Sequence, residues 1–115
     1  MSVTIYNPVL DTWITGTPLP APRANMVVGV INGRLRVASG SAADGTHDTS
    51  VLVYDPIADK WHPAPAEPTA RYNAAAAVIG SKLFVAGGNT DSGPYTSTAE
   101  VFTPARPDAV DAPRL

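Results

Sequence analysis

The sequence predicts an all-β protein built from a repeated unit of short antiparallel strands. The first observation is an internal repeat: the stretch from Val3 to Trp13 resembles the stretch from Val51 to Trp61 at an offset of 48 residues. The second is that no segment places apolar residues at helical spacing over three turns, whereas several segments alternate apolar and polar residues as strands do. The third is a turn-rich composition, with 12 prolines and 9 glycines in 115 residues.

The offset of 48 residues holds across the chain without a gap, which indicates a duplicated structural unit. Arg23 corresponds to Arg71, and Gly40 corresponds to Gly88. Chance similarity does not keep one register over so many turn and core positions. Further pairs at this offset are Asn25 with Asn73, Leu35 with Leu83, Tyr54 with Phe102 and Pro56 with Pro104.

The repeat predicts four strands per period. NMVVGVI and RLRVAS are separated by an Asn-Gly turn, the strongest short-range hairpin signal. The aligned NAAAAVI is also interpreted as a strand, because the other unit has Val, Val and Gly where alanine would favour a helix. A polar loop leads to SVLVYDP or TAEVFTP, where proline ends the ladder because it lacks a donor. DTWI or DKWH begins a short fourth strand, and four antiparallel strands per period describe a β-propeller blade.

The repeat divides the chain into blade-sized segments. Residues 1–16 are predicted to be the outer strands of a partial blade, 17–64 a complete blade, 65–104 three strands of a second blade, and 105–115 an irregular tail. Propellers have about four to eight blades, so the chain is expected to form an incomplete propeller. Either it is a piece of a longer protein, or copies associate as a homo-oligomer, for example three copies closing a six-bladed ring with one third strand to spare.

These residues resemble the kelch repeat, and the resemblance reaches Pro104. The family has an arginine before the first strand, two glycines ending the second, Tyr-Asp-Pro ending the third, and a tryptophan soon after. Here these are Arg71, Gly87-Gly88, Tyr54-Asp55-Pro56 and Trp61. The period of 48 residues is close to the roughly 50 of kelch units. Departures are Ser39-Gly40 in place of the glycine pair and Phe102-Thr103-Pro104 in place of Tyr-Asp-Pro.

Most motif residues are interpreted as structural. A glycine loop cradles an anion where it opens a helix, and no helix follows Gly87-Gly88, so the pair is expected to end a strand where the backbone approaches closely. Of the pair, Gly88 and its counterpart Gly40 are expected to resist substitution. Trp13 and Trp61 are expected to pack between neighbouring blades, with an exposed ligand platform as the alternative.

Five residues are candidates for binding. Arg23 and Arg71 either stabilise the blade or bind a ligand carboxylate through two N–H groups at once. Asn25 and Asn73 follow two residues later, and the resemblance places such residues near the central pocket that binds partner peptides in kelch propellers; the alternative is an asparagine bonding its own backbone. Tyr95 lies in a polar loop that differs between the units, and loops of this kind commonly hold specificity.

Several classes of function lack support in the sequence. No catalytic residues are predicted, because neither histidine has an evident serine or cysteine partner motif, and no cofactor is predicted. No metal site is predicted, since Asp44, His47 and Asp48 on one loop are a weak signal. The chain has no cysteine, and its net charge of −2 gives no electrostatic case for nucleic acid.

No membrane partner is predicted either. The N-terminus lacks the basic segment and apolar core of a signal peptide. No apolar run approaches the roughly 20 residues that span a bilayer. We therefore expect a soluble protein, which is cytoplasmic if the chain is complete and of open localisation otherwise.

We predict a non-catalytic interaction scaffold that binds a protein or peptide through its blade loops, because the resemblance is to a family largely known for protein binding. One alternative is a fragment of a kelch-type propeller enzyme. A copper radical oxidase related to galactose oxidase needs a tyrosine crosslinked to cysteine, which this chain lacks. A sialic acid mutarotase needs arginines and carboxylates that converge, and Arg71 and Glu100 are the residues to test. A carbohydrate-binding module using Tyr95 is the other alternative.

Overall fold

A computed structural model describes residues 2–66, 68–90 and 95–103, and every regular element within them is a β-strand. The all-β prediction is confirmed. None of the described residues belongs to a helix long and apolar enough to cross a membrane. The strands are β1 Val3–Asn7, β2 Thr12–Gly16, β3 Arg23–Ala24, β4 Val27–Ile31, β5 Arg34–Ala38, β6 Ser41–Ala42, β7 Val51–Asp55, β8 Lys60–Ala64, β9 Ala75–Ile79, β10 Lys82–Ala86 and β11 Ala99–Phe102.

The middle of the chain forms a four-stranded antiparallel sheet in the order β4-β5-β7-β8, which is the predicted blade. Ile31 pairs with Arg34, so Asn32 and Gly33 are the two turn residues between β4 and β5. Their φ angles are 54° and 73°. Positive φ at both positions suits the right-handed twist of a hairpin, and Asn-Gly tolerates it best. The Asn-Gly pair therefore forms the two-residue turn that the sequence predicts.

The remaining strands form smaller sheets. β9, β10 and β11 make a three-stranded antiparallel sheet in the order β11-β10-β9, matching the first three strands of a blade. β1 and β2 form a separate hairpin from Val3 paired with Gly16 to Asn7 paired with Thr12. A short pairing of β3 with β6 was not predicted from the sequence. The predicted tail at 105–115 and Pro104 lie outside the described residues.

The hydrophobic core lies between the four-stranded and the three-stranded sheet. Val27 and Ile31 on β4 are buried with Leu83 and Val85 on β10. A Cβ added at Gly29 would lie 2.8 Å from Leu83 Cδ1 and 2.8 Å from a methyl carbon of Val78. Such a distance is too short for carbon atoms in contact, so Gly29 permits the close approach of the two sheets.

Two arginines of β5, Arg34 and Arg36, are buried although they alternate with the apolar Leu35 and Val37. Arg36 shares its face with Gly29 and Val53, and that face packs on the three-stranded sheet. The Arg36 guanidinium carbon lies 4.1 Å from the centroid of the Phe102 ring. A cation over an aromatic face is favourable, and this contact offsets part of the cost of burying the charge. The face that carries Arg36 is covered because the neighbouring sheet packs on it.

Candidate binding surface

The arginine of the first complete unit ties a loop to the blade. Arg23 is 5% exposed and donates hydrogen bonds from Nη1 to the carbonyl oxygens of Ser39, at 3.2 Å, and Ser50, at 2.7 Å. Its Nη2 donates to Asp48 Oδ2 at 3.1 Å and to the Ser50 hydroxyl. The guanidinium therefore joins the end of β5 to the start of β7, across the polar loop between them.

The second unit repeats this arrangement with Arg71, which is fully buried. Its Nη1 donates to the carbonyl oxygens of Gly87, at 2.8 Å, and Thr98, at 3.2 Å. Its Nη2 donates to Thr98 Oγ1 at 3.1 Å and forms an ion pair with Glu100. A guanidinium with several donors in one plane suits such a bridge between two backbone segments. We call Arg23 and Arg71 with these partners the arginine clamps.

The arginine clamps bear on two functional interpretations. The carboxylates that the arginines meet are the chain's own Asp48 and Glu100, which favours a structural role over recognition of a ligand carboxylate. Thr69 Oγ1 also donates to Glu100 Oε2, at 3.2 Å. Arg71 and Glu100, the pair that a mutarotase-like site would use, thus neutralise each other inside the blade. Their use in binding stays a prediction.

The glycines at the end of the second strand stand where backbone segments meet. A Cβ at Gly40 would lie 2.5 Å from the carbonyl oxygen of Ala24, and one at Gly88 would lie 2.7 Å from that of Tyr72. By contrast, a Cβ at Gly87 would meet only Thr96 O, at 3.9 Å. Its counterpart Ser39 carries a side chain at a φ of 63°. The geometry gives a steric reason for expecting Gly40 and Gly88 to resist substitution more than Gly87.

The two candidate asparagines meet at the junction of the blades. Asn25 and Asn73 have φ angles of 57° and 56°, a left-handed conformation that asparagine tolerates better than most residues. The Asn73 N–H donates to the Asn25 carbonyl oxygen at 3.2 Å. Both residues are exposed, and neither side-chain amide makes a hydrogen bond within the described part of the chain. Both amides are therefore oriented outward with their donors and acceptors available.

An aromatic residue, Tyr72, directly precedes Asn73 in the chain. The ring of His47 stacks on that of Tyr72, with centroids 4.2 Å apart and planes 29° apart. Tyr95 occupies the repeat position of His47, and its side chain is 81% exposed. The segment before Tyr95, including Asp91, lies outside the described residues. We define the loop face as Asn25, His47, Tyr72, Asn73 and Tyr95, at the end of the blades where the second strand leads into the third.

The polar loop of the first unit uses its carboxylates internally. Asp44 Oδ1 accepts hydrogen bonds from the Thr46 hydroxyl, at 2.7 Å, and from the Thr46 N–H, at 3.0 Å. Both bonds lower the pKa of Asp44, and the bond from the Thr46 hydroxyl has the larger effect. Asp48 accepts from the Ser50 N–H and from Arg23. Across residues 2–66, 68–90 and 95–103, no three His, Asp or Glu side chains group together as metal ligands do.

A second site holds the linker between the hairpin and the four-stranded sheet. The Thr17 N–H donates to Asp59 Oδ1 at 2.8 Å, and the Thr17 hydroxyl donates to the Asp59 carbonyl at 2.7 Å. Trp61 Nε1 donates to the Thr17 carbonyl at 2.9 Å, and the Tyr54 hydroxyl donates to Asp59 Oδ1 at 2.5 Å. The bonds from the Thr17 N–H and from Tyr54 lower the pKa of Asp59. We call Tyr54, Asp59 and Trp61 the linker cradle.

Other motif residues differ in their surroundings. Asp55 is 1% exposed, and its Oδ1 accepts from the N–H groups of Ile57 and Ala58, which stabilises the turn that contains the exposed Pro56. Trp61 is half-buried at the junction with the linker. Trp13 was expected to pack between blades, yet 67% of it is exposed, because no described strand covers that side of the hairpin.

One described cavity lies away from the loop face. It has a volume of about 450 Å³ and is lined at the opposite end of the strands by residues such as Asn32, Lys82 and Thr103. It is open, and none of the five predicted binding residues lines it. This cavity is therefore separate from the loop face.

Comparison with known proteins identifies the repeat. A family model described as the Kelch motif matches residues 22–66 and again residues 70–106, so the two matches together cover more than half of the chain. No curated protein matches the chain significantly. The first match spans the four-stranded sheet and Arg23, and the second spans the three-stranded sheet and Arg71.

Proposed function

The chain belongs to the kelch-motif family, and we propose that it is a non-catalytic scaffold that binds a protein or peptide through the loop face. Kelch repeats commonly mediate protein–protein interaction, which gives the proposal its general form. The finer statement, that the loop face is the surface used, rests on the geometry of the residues there.

The observation that carries the proposal is the pair of outward amides at Asn25 and Asn73. An asparagine side chain offers a donor and an acceptor at once, which suits recognition of a peptide backbone. Both are held at fixed φ angles beside a hydrogen bond that joins the blades. Because the arginine clamps already hold the supporting loops in place, little conformational entropy is lost when a partner binds.

The chemistry of the loop face indicates the kind of partner. The nearby arginines pair with Asp48 and Glu100 in the clamps, so the described residues of the loop face present amides and aromatic rings rather than charges. Tyr95 and the stacked His47–Tyr72 pair supply flat surfaces beside the amides. We therefore propose a partner segment recognised through backbone hydrogen bonds and ring contacts, with little dependence on salt. A glycan would use similar groups, and the test includes it.

The proposal includes completion of the propeller on the outward side of the three-stranded sheet. Ile79 and Val101 are 64% and 50% exposed on that side, next to a small apolar cavity lined by alanines of β9 and by Phe84. A neighbouring blade suits this face, supplied either by a longer chain or by another copy as a homo-oligomer. Sedimentation mass separates the two, because self-completion gives multiples of 11.9 kDa.

The experiment is selection of peptides from a random display library, followed by affinity measurements on variants. Asn25→Gly with Asn73→Gly removes both amides and keeps the left-handed backbone accessible. We expect selected peptides to bind this double variant at least about ten-fold more weakly, since hydrogen bonds are lost. Asn32→Gly is the matched control, because Asn32 has a similar left-handed φ of 54° at the opposite end of β4. Peptides that bind the double variant as well as the parent, or selection of glycans alone on an array, contradict the proposal.

A further inference from the structure

The turn between β4 and β5 contains the only Asn-Gly pair of the sequence, Asn32-Gly33. Glycine has no Cβ, so its backbone nitrogen is the least hindered nucleophile that can follow an asparagine. When that nitrogen attacks the side-chain carbonyl carbon of the asparagine before it, a five-membered imide ring forms. The pair can therefore react in a way that its role in the hairpin turn does not require.

The structure leaves both reacting groups open to solvent. Asn32 and Gly33 are exposed, and a Cβ added at Gly33 would meet no other atom within 4 Å. The ladder between the two strands closes at Ile31 and Arg34, so Gly33 lies outside it. Across residues 2–66, 68–90 and 95–103, neither the Asn32 side-chain amide nor the Gly33 N–H makes a hydrogen bond. Water and hydroxide therefore reach the amide and the N–H.

Other positions of the chain lack this combination. Asp44-Gly45 could form the same ring, but Asp44 Oδ1 accepts two hydrogen bonds from Thr46, at 2.7 and 3.0 Å. The Gly45 N–H is also engaged, because it donates to the carbonyl oxygen of Ala42 at 3.0 Å. In the second unit the corresponding turn is Gly80-Ser81, which has no side-chain amide. The first hairpin turn is thus the reactive one.

We propose that Asn32 is a site of spontaneous deamidation. Hydroxide removes the Gly33 amide proton, and the nitrogen forms a bond to Asn32 Cγ. The bond from Cγ to Nδ2 breaks, and Nδ2 leaves as ammonia after taking a proton from water. Water then opens the imide at either carbonyl, which gives aspartate or isoaspartate at position 32. In total one water is consumed and one ammonia is released, with no change of oxidation state.

The two products change the hairpin in different ways. Aspartate adds a negative charge to a chain of net charge −2, in a cavity that Lys82 also lines. Isoaspartate inserts an extra backbone carbon between Ile31 and Arg34, where a two-residue turn sets the register of the strands. The isoaspartate form should therefore unfold at a lower temperature than the aspartate form. The site lies at the opposite end of β4 from the loop face and does not rest on the role proposed there.

The test incubates the full 115-residue chain at neutral and at mildly alkaline pH. Ion exchange separates the more acidic product, and peptide mapping by mass spectrometry locates it. We expect Asn32 to convert at least about ten-fold faster than Asn25 or Asn73, which are followed by residues that carry a Cβ. Conversion should be faster at the alkaline pH, because the attacking nitrogen must lose its proton. Labelling with an isoaspartate methyltransferase should mark position 32.

A free peptide and a turn exchange are the matched controls. The capped peptide GVINGRL has the sequence of residues 29–35 and sets the rate of an unstructured chain. We expect the protein to react within about ten-fold of that rate, since exposed turns open at low cost. Asn32→Gly with Gly33→Ser installs the turn of the second unit and should give neither the acidic product nor the label. Asn32 that stays intact where the peptide converts, or equal acidic product in the exchanged variant, overturns the proposal.

Discussion

The backbone N–H of Asn73 donates a hydrogen bond to the carbonyl oxygen of Asn25, which is its own counterpart one repeat earlier. The bond joins the entrances of two blades and fixes the spacing of two outward amides. It requires both residues to keep a left-handed backbone, with φ near 57°. The loop face therefore depends on a backbone conformation that the sequence alone does not display.

This conformation makes the first prediction. Asn73→Gly should change the free energy of unfolding by less than about 1 kcal/mol, because glycine adopts positive φ freely. Asn73→Val should destabilise the protein by about 2 kcal/mol, because a β-branched residue at positive φ is strained. Urea denaturation measures both. Equal stability of the two variants would show that the left-handed conformation is not maintained.

The second prediction compares the adjacent glycines of the three-stranded sheet. Gly88→Ala should cost about 3 kcal/mol of stability, because its Cβ would lie 2.7 Å from the Tyr72 carbonyl oxygen. Gly87→Ala should cost only about 1 kcal/mol, since a Cβ there meets nothing closer than 3.9 Å and only the positive φ is unfavourable. Thermal unfolding of the two variants checks the order, and the reverse order would refute the close approach at Gly88.

The third prediction concerns the buried ion pair of Arg71 and Glu100. Arg71→Met should destabilise the protein by about 3–5 kcal/mol, because the Glu100 carboxylate and several carbonyl groups lose their partner. Adding Glu100→Gln should recover part of that loss, since the second change removes the uncompensated charge. Chemical denaturation of the single and double variants measures the coupling. If the two changes are simply additive, Arg71 does not neutralise Glu100 in the folded protein.

The fourth prediction is a loss of stability at alkaline pH. Burial and then the hydrogen bond to Asp59 raise the pKa of Tyr54 from its ordinary 10.0 to about 12. A raised pKa in the folded state stabilises the protein fully below pH 10, and that stabilisation disappears as the pH rises from 10 to about 12. The cause is that ionised Tyr54 would be a buried phenolate facing the Asp59 carboxylate.

Denaturation at several pH values from 8 to about 12 measures this effect. Tyr54→Phe should remove most of the alkaline dependence that remains after the other tyrosines are accounted for. Tyr6→Phe is the control, because Tyr6 makes the equivalent bond to Asp11 on the exposed hairpin. A Tyr54→Phe protein with the parent's full alkaline dependence would place the titrating group elsewhere.

Much of the fold was predictable because a repeat shows each element twice. The Asn32-Gly33 turn gives the register of β4 against β5, and the aligned valines corrected the helical propensity of the alanines in β9. The burial of Arg36 was not predictable from alternation. Its face is covered by a sheet that lies one repeat later, and strand periodicity does not indicate which neighbour covers a face.

The sequence indicated where the candidate residues lie in the repeat, but not which residues they bond. The sequence located the arginines and asparagines at equivalent positions of the two units. It did not reveal the partner of each arginine, because Asp48 lies in a loop and Glu100 lies on β11, at positions that the repeat does not relate. The tyrosine–aspartate bonds were missed for a similar reason: Asp11 and Asp59 repeat at the same offset, but their bonds to Tyr6 and Tyr54 appear only in three dimensions.

The most direct test of the proposed role is photo-crosslinking at the loop face. A photoreactive phenylalanine replaces Tyr95 in one protein and Ile57, an exposed residue at the opposite end of the strands, in a second. Each is irradiated with a peptide selected from the display library, and the crosslinked sites are identified by mass spectrometry. The loop-face role predicts crosslinking at position 95 that Asn25→Gly with Asn73→Gly abolishes, and none at position 57. Crosslinking at position 57 without any at 95 would contradict it.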